Sequence, residues 1–268
     1  MRLVEELQRE VWGVPDLDVV PLTQLVAANA AGGVLLGAFD ADTMIGFVYG
    51  FVGLENGRMT HHSHMLAVRP AYRNSNVGYK LKLAQREYVL AQGIEEMTWT
   101  FDPLQSLNAY LNFNRLGVFA NRYLTDFYGT DPESFLHQTG TDRLWVTWSL
   151  NSRRVEERIA KMRATSELDK ASALIEVGGS NEPIVHEMRR DIANTRLRIE
   201  IPRDIVLLER ENKDLARRWR EATRQAFLGA IAAGFLVIDF VRGEGLGRYQ
   251  LEHSTAHPEL AAFGSARL

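Results

Sequence analysis

The sequence predicts an α/β (α+β) fold: a mixed, mostly antiparallel sheet flanked by helices over residues 1–150, then a smaller α+β carboxy-terminal unit at 171–253. Three features lead there. Apolar residues alternate with period two in several runs parted by turn residues. The period changes to three and four after Val77. A charged stretch at 151–170 separates two regions that are each patterned for burial. With 268 residues, 46% of them apolar, the chain can bury the core of one large domain or two small ones.

Residues 2–12 have the spacing of an amphipathic helix, and "TQLVAANAAGG" repeats it until a glycine pair stops the pattern. "GVLLGAF" and "TMIGFVYGFVG" flank the turn Asp40-Ala41-Asp42, and Asn56-Gly57 leads into "RMTHHSHMLAV"; the three runs read as an antiparallel meander. From Val77 the apolar positions Val77, Leu81, Ala84, Tyr88 and Ala91 define a helix ending at Gly93. "EEMTWTF" alternates as a strand until Pro103, Ser106 caps a helix that closes at Gly117, and "VFANRYLTDFYG" and "DRLWVTWSL" supply two further strands.

Arg153, Arg154, Glu156, Glu157, Arg158 and Lys161 mark 151–170 as a solvated, charged helical linker. Beyond it "RLRIEIPRDIVLL" reads as one strand, and 211–233 as a helix with Ala216, Trp219, Thr223, Ala226, Phe227 and Ala230 on one side. "FLVIDFVR" and "RYQLEH" form a hairpin. Residues 254–268 read as a flexible tail.

A formal net charge of −3 leaves no broad basic surface, which argues against a nucleic acid partner. The absence of cysteine removes disulfides, thiolate metal sites and a cysteine nucleophile. No apolar run approaches the roughly 20 residues that cross a bilayer, and the charged amino terminus is unlike a signal; no membrane partner and a cytoplasmic location are expected.

The stretch "HHSHMLAVRPAYRNSNVGYKLK" concentrates the chemistry. With a side-chain period of two, His62 and His64 share one strand face, and His61, Ser63 and Met65 the other. The turn Arg73–Tyr79 precedes a helix N-terminus, where unpaired amides and the positive dipole end hold anions. Gly78 lets an anion approach the backbone, and Arg69, Arg73, Lys80 and Lys82 add mobile positive charge. A histidine that titrates near neutral pH beside such a turn can take a proton from an amine. No third ligand at a recognisable spacing accompanies the histidines, so no metal site is expected.

These residues resemble the central motif of the GCN5-related N-acetyltransferase (GNAT) superfamily, in which a strand ending in an LAV-like triplet leads through R/Q-x-x-G-x-G/A into the helix that binds the coenzyme A pyrophosphate. The His-x-His before the triplet is similar to that of the arylalkylamine N-acetyltransferases. "VWG", "WTFDPLQSLNAYLNFNRLG" and "DRLWVTWSL" resemble a little-characterised bacterial branch. The resemblance covers roughly residues 3–150. It implies acetyl-CoA or another acyl-CoA as co-substrate, with succinyl-CoA open as the donor, and a small amine or amino acid as acceptor.

His62 and His64 would then serve as the base relay. Leu66, Ala67, Val68, Arg73, Asn74, Ser75, Asn76, Val77, Gly78, Tyr79 and Asn108 would contact the cofactor. Three departures stand out: Asn76 replaces the motif's first glycine, Phe113 stands where a tyrosine often protonates the departing thiolate, and the family's first strand has no counterpart before residue 3. Tyr110, Tyr123 or water are the other candidates for that proton. "LRIEIP" or the 235–253 hairpin could fill the strand's place, within the chain or from a second copy in a homodimer. Arg115 and Arg122 are the arginines available to a carboxylate substrate. The alternative is a degenerate fold of this family acting as a coenzyme A-binding or protein-interaction scaffold.

Overall fold

The structure is a computed structural model, and it describes residues 2–129, 139–162, 171–188 and 196–261. The described chain forms two compact units, one ending at Trp99 and one beginning at Thr100. In the first, α1 (Arg2–Trp12) and α2 (Leu22–Ala30) precede β1 (Val34–Asp40), β2 (Thr43–Glu55) and β3 (Arg58–Val68). α3 (Val77–Ala91) follows, and then β4 (Glu96–Phe101). The strands lie in the order β1-β2-β3-β4, with β1/β2 and β2/β3 antiparallel and β3/β4 parallel. Asn56 and Gly57 both take positive φ (53° and 76°), the tight hairpin conformation that matches strand twist.

α1 and α2 cover one face of this sheet. Val4, Leu7, Leu25, Met44, Phe47, Tyr49, Met65 and Ala67 form one buried cluster there. The approach is held by polar contacts: Gln8 both donates to the carbonyl of Val20 and accepts from its amide, and Glu5 accepts from the amide of Leu22 at the start of α2. That acceptance caps a helix whose N-cap, Pro21, makes no side-chain hydrogen bond to it.

α3 covers the other face with a different set of residues from the one its apolar spacing predicts. Leu81, Lys82, Gln85 and Val89 are buried, whereas Ala84 and Tyr88 are exposed. The helix turns two polar side chains inward because the sheet offers polar groups, Ser63 and His61, to meet them.

The β2–β3 register shifts between Tyr49↔Met65 and Gly50↔Ser63, so His64 is an extra residue in β3 and forms a β-bulge. Strict alternation would put Met65 beside His61 and Ser63. Instead Met65 and Ala67 face the α1/α2 cluster, while Leu66 and Val68 lie next to Gly78 at the start of α3.

In the second unit α4 (Ser106–Ala109) continues as a π-helix, Tyr110–Leu116, that ends at Gly117 (φ 77°). β5 (Phe119–Leu124), β6 (Arg143–Ser149), α5 (Arg153–Ile159), β7 (Ser172–Val177), β8 (Pro183–Val185) and β9 (Leu197–Pro202) follow. α6 (Ile205–Glu211), α7 (Lys213–Ala232), β10 (Phe235–Arg242), β11 (Leu246–His253) and α8 (Pro258–Ala261) complete it. Its strands are ordered β6-β5-β10-β11-β9-β7-β8.

The compact units part at Trp99/Thr100, and β5 pairs with β10 within the second of them. Several expectations about single elements are corrected here. Ser106 is the first helical residue rather than the cap, and its hydroxyl accepts from Arg242. The strand expected over 196–208 ends at Pro202, where Asp204 caps α6 by accepting from the amide of Leu207. α5 is no solvated linker: Val155 is buried, Arg154 donates to the carbonyls of Gly117 and Ile238, and Arg158 pairs with Asp239.

The tail is folded as far as α8, with Leu260 packed against Phe119, Leu236 and Ile238. Residues 163–170 of the expected linker and 262–268 of the tail lie outside the described residues.

Gly50 is the tightest point of the first unit's sheet. A Cβ there would lie 2.4 Å from Nε2 of His61 and 2.6 Å from the carbonyl oxygen of His62. Gly50→Ala is expected to lose about 1–3 kcal/mol of stability by overpacking, read as a lower urea midpoint at unchanged slope.

Candidate functional site

β3 carries the histidines on its two faces. His62 and His64 lie on the α1/α2 side, with ring centroids 6.4 Å apart, and Phe51 packs against both, at 5.6 and 5.8 Å. Tyr49 closes on His64 at 6.3 Å. The bulge leaves both rings on one face, as the period predicts, with His62 half-buried and His64 exposed. Although its edge reaches solvent, His64 is packed against Tyr49 and Phe51, and burial lowers its pKa from the ordinary value. Nδ1 of His62 lies 3.0 Å from Oγ1 of Thr98 on β4.

The parallel β3–β4 ladder consists of His61↔Met97 and His62↔Thr98. Beyond that rung β3 continues through Leu66, Ala67 and Val68, which have no ladder partner on the β4 side among the described residues, then turns at Pro70–Tyr72 toward α3. Ser75 ties the turn by donating to the carbonyl of Tyr72. Asn74 and Asn76 both adopt left-handed backbone (φ 66° and 62°), a region Asn enters more easily than most residues. The first intrahelical bond runs from the amide of Lys80 to the carbonyl of Asn76, so the amides of Val77 and Gly78 have no intrahelical acceptor.

Gly78 has neither left-handed backbone nor crowding. A Cβ there would meet Leu66 and Val68 at 3.6 and 3.8 Å, ordinary contacts. Packing therefore does not require the glycine. An anion resting on the helix start would, and the residues present fit a pyrophosphate.

Of the cations expected around this turn, Arg73 and Lys80 are exposed beside it. The other two are corrected. Arg69 is fixed by Glu10 and by donation to the carbonyl of Met44. Lys82 points into the sheet, 2% exposed. Its Nζ donates to Oγ of Ser63 at 2.7 Å and stands 3.6 Å over the Trp99 ring; Ser63 donates to Gln85, whose amide nitrogen lies 3.2 Å from Nε2 of His61. Sequence reasoning missed this cluster. The only signal was that Lys82 and Gln85 fall on the helix face that must cover Ser63.

Burial holds the Lys82 amine well below the ordinary lysine pKa. His61, fully buried, is pushed down to about 4 by desolvation and, secondarily, by Lys82; its Nδ1 has no hydrogen-bond partner among the described residues.

In the second unit, Asn108 lies exposed on α4. Phe113 is a core residue, 5.7 Å from the ring of Tyr249. Tyr123 is unsuited to give up a proton: its hydroxyl donates to Asp142, and burial followed by that carboxylate raises its pKa. Arg122 stacks on Trp145. Among the described residues no group of three His, Cys, Asp or Glu could hold a metal ion, and no helix is long and apolar enough to cross a membrane.

The His61 environment sets a pH dependence. Its pKa falls from 6.5 to about 4 on folding, so as pH drops the unfolded chain binds the proton first. This contribution to stability is complete above about pH 6.5 and declines toward pH 4, by up to about 3 kcal/mol. Urea denaturation at pH 7 and pH 4.5 measures the fall, and His61→Phe is expected to flatten it.

Residues 1–116 match the family model described as the acetyltransferase (GNAT) family. No curated protein matches the sequence. Among solved structures the chain is similar to an aminoglycoside 6'-acetyltransferase type Ii, at 18% identity over 57% of this chain and 90% of that one, with a TM-score of 0.45. It is also similar to the ribosomal-protein-S18-alanine N-acetyltransferase from Escherichia coli, at 12% identity over 56% and 88%, with a TM-score of 0.46. A third is a GNAT family acetyltransferase from Elizabethkingia anophelis with acetyl-CoA bound, at 15% identity over 54% and 88%, with a TM-score of 0.41. The match to the GNAT acetyltransferase family, which uses acetyl-CoA, thus lies over residues 1–116.

Proposed function

We propose that the protein is an acyl-CoA-dependent N-acyltransferase that moves an acetyl group from coenzyme A to the amine of a small molecule or amino acid, with His62 as the base and His64 assisting. The observation that carries this reading is the start of α3, where Gly78 is free of any backbone or packing requirement. The amides of Val77 and Gly78, with exposed Arg73 and Lys80 beside them, would hold the pyrophosphate.

In the reaction the ammonium of the acceptor loses a proton to His62. The neutral amine attacks the thioester carbonyl and the new C–N bond forms; the C–S bond then breaks, the nitrogen sheds its second proton to water, and the coenzyme A thiolate takes one up from water. Backbone amides of β3 near Leu66–Val68, outside the β4 ladder, would polarise the carbonyl. Orientation of two substrates and supply of the neutral amine account for the rate; no covalent enzyme intermediate is needed.

The left-handed Asn76 supports this reading over a degenerate scaffold, because the backbone conformation for which the motif uses glycine is adopted by the residue that replaces it.

Three experiments test the proposal. Calorimetric titration with acetyl-CoA and succinyl-CoA, against ADP and pantetheine, is expected to give binding of one thioester; absence of binding by all four sinks it. Gly78→Ala is expected to keep the wild-type urea midpoint and weaken that binding by about tenfold, about 1.4 kcal/mol. His62→Ala is expected to slow acyl transfer by roughly 10²–10⁴-fold while leaving thioester affinity in place, and unchanged transfer would remove His62 from the role of base.

A further inference from the structure

We infer that Thr98 is the positioning residue for His62: its hydroxyl accepts a hydrogen bond from Nδ1–H of the ring, leaving Nε2 as the nitrogen that takes the substrate's proton. This deepens the proposed function and rests on the reading of His62 as the base.

Nδ1 and Oγ1 are 3.0 Å apart, within hydrogen-bonding reach. Thr98 is 1% exposed, and its backbone is fixed opposite His62 by the β3–β4 register, so the hydroxyl is held by the sheet itself. The other side of the orientation comes from Phe51, also a register partner of His62, whose ring lies 5.6 Å away at 38° to the imidazole. The ring is thus aimed by residues of the two strands flanking β3. His64 has no comparable device. Its ring neighbours are Tyr49, Phe51 and His62, and among the described residues it makes no hydrogen bond through its side chain.

The bond made by one imidazole nitrogen decides which of the two carries the proton. A threonine hydroxyl can donate or accept. Were Thr98 the donor, Nδ1 would hold the lone pair and Nε2 the hydrogen, and Nε2 could accept nothing from an ammonium. With Thr98 as acceptor, Nε2 presents its lone pair.

The accepting arrangement also survives the proton transfer. Nδ1 carries hydrogen in both the neutral ring and the imidazolium, so the same bond persists and strengthens when the donor becomes charged. A donating hydroxyl would have to rotate away in mid-reaction. A polar environment that needs no reorganisation at the moment of reaction is the cheaper one.

The test reads the tautomer directly and needs no acceptor amine. The full-length protein carrying ¹⁵N-labelled histidine is examined by long-range proton–nitrogen correlation at a pH where the ring is neutral, with the His62 signal assigned by its loss in His62→Gln. The expected result is Nδ1–H as the major form in the wild type, a change to Nε2–H as the major form in Thr98→Val, and the wild-type pattern in Thr98→Ser.

Nε2–H as the major form in the wild type overturns the inference, whatever the variants do. So does a folded Thr98→Val that keeps Nδ1–H. If Thr98→Val fails to fold, the wild-type spectrum still decides the direction of the bond, and a Thr98→Ser spectrum that departs from it overturns the assignment. The base reading fails separately, on His62→Ala retaining acyl transfer, so either can fall without the other.

Discussion

The extra residue that β3 inserts opposite β2 at His64 governs which face each later side chain of that strand occupies. Side chains alternate strictly along a strand, so one inserted residue exchanges the two faces from that point onward. Before the bulge, His61 and Ser63 face α3. After it, Met65 and Ala67 face the α1/α2 core, and Leu66 and Val68 reach the start of α3. One strand can therefore feed a polar cluster, an apolar core and a helix N-terminus without a break. Bulges recur beside functional sites because they re-aim a side chain in this way.

The polar cluster on the α3 side has an evident cost. A lysine with no carboxylate partner among the described residues, and a histidine forced to stay neutral, occupy a place where aliphatic side chains would pack more cheaply. The compensation is partial: Ser63 donates to Gln85 and accepts from Lys82, and the Trp99 ring faces the amine. Room for His61 and Gln85 exists only because residue 50 has no side chain. The cluster lies where the β3–β4 ladder stops, with Lys82 reaching Ser63 on one strand and Trp99 on the other, each the next residue after the last rung. A side-chain contact there takes over from the backbone ladder.

The second unit handles buried charge differently. Arg220 and Asp102 form a two-bonded pair, and Arg224 holds Asp142, which also accepts from Tyr123. Arg154 is satisfied by main-chain carbonyls alone, and burial lowers its pKa to about 10. The charges of α5 read in the sequence as a solvated helix. They are in fact the means by which α5 docks, because an arginine fork reaches carbonyl oxygens left over at the end of the π-helix and on β10.

The sequence by itself determined the strand meander, the helix that follows it and the family match over residues 1–116, since alternation, the Asn-Gly turn and the run from the LAV triplet to Gly78 are local patterns. It also placed His62 and His64 on one face, correctly and for a local reason. Only the tertiary structure decided the bulge at His64, which leaves no mark in composition, and hence the destination of Met65. It alone separated exposed Arg73 and Lys80 from buried Lys82, because helical spacing shows which residues share a face but not what the opposing sheet presents to it. Thr98 was invisible for the same reason: an alternating threonine gains meaning only from the residue across the ladder, and strand register is a property of the assembled sheet.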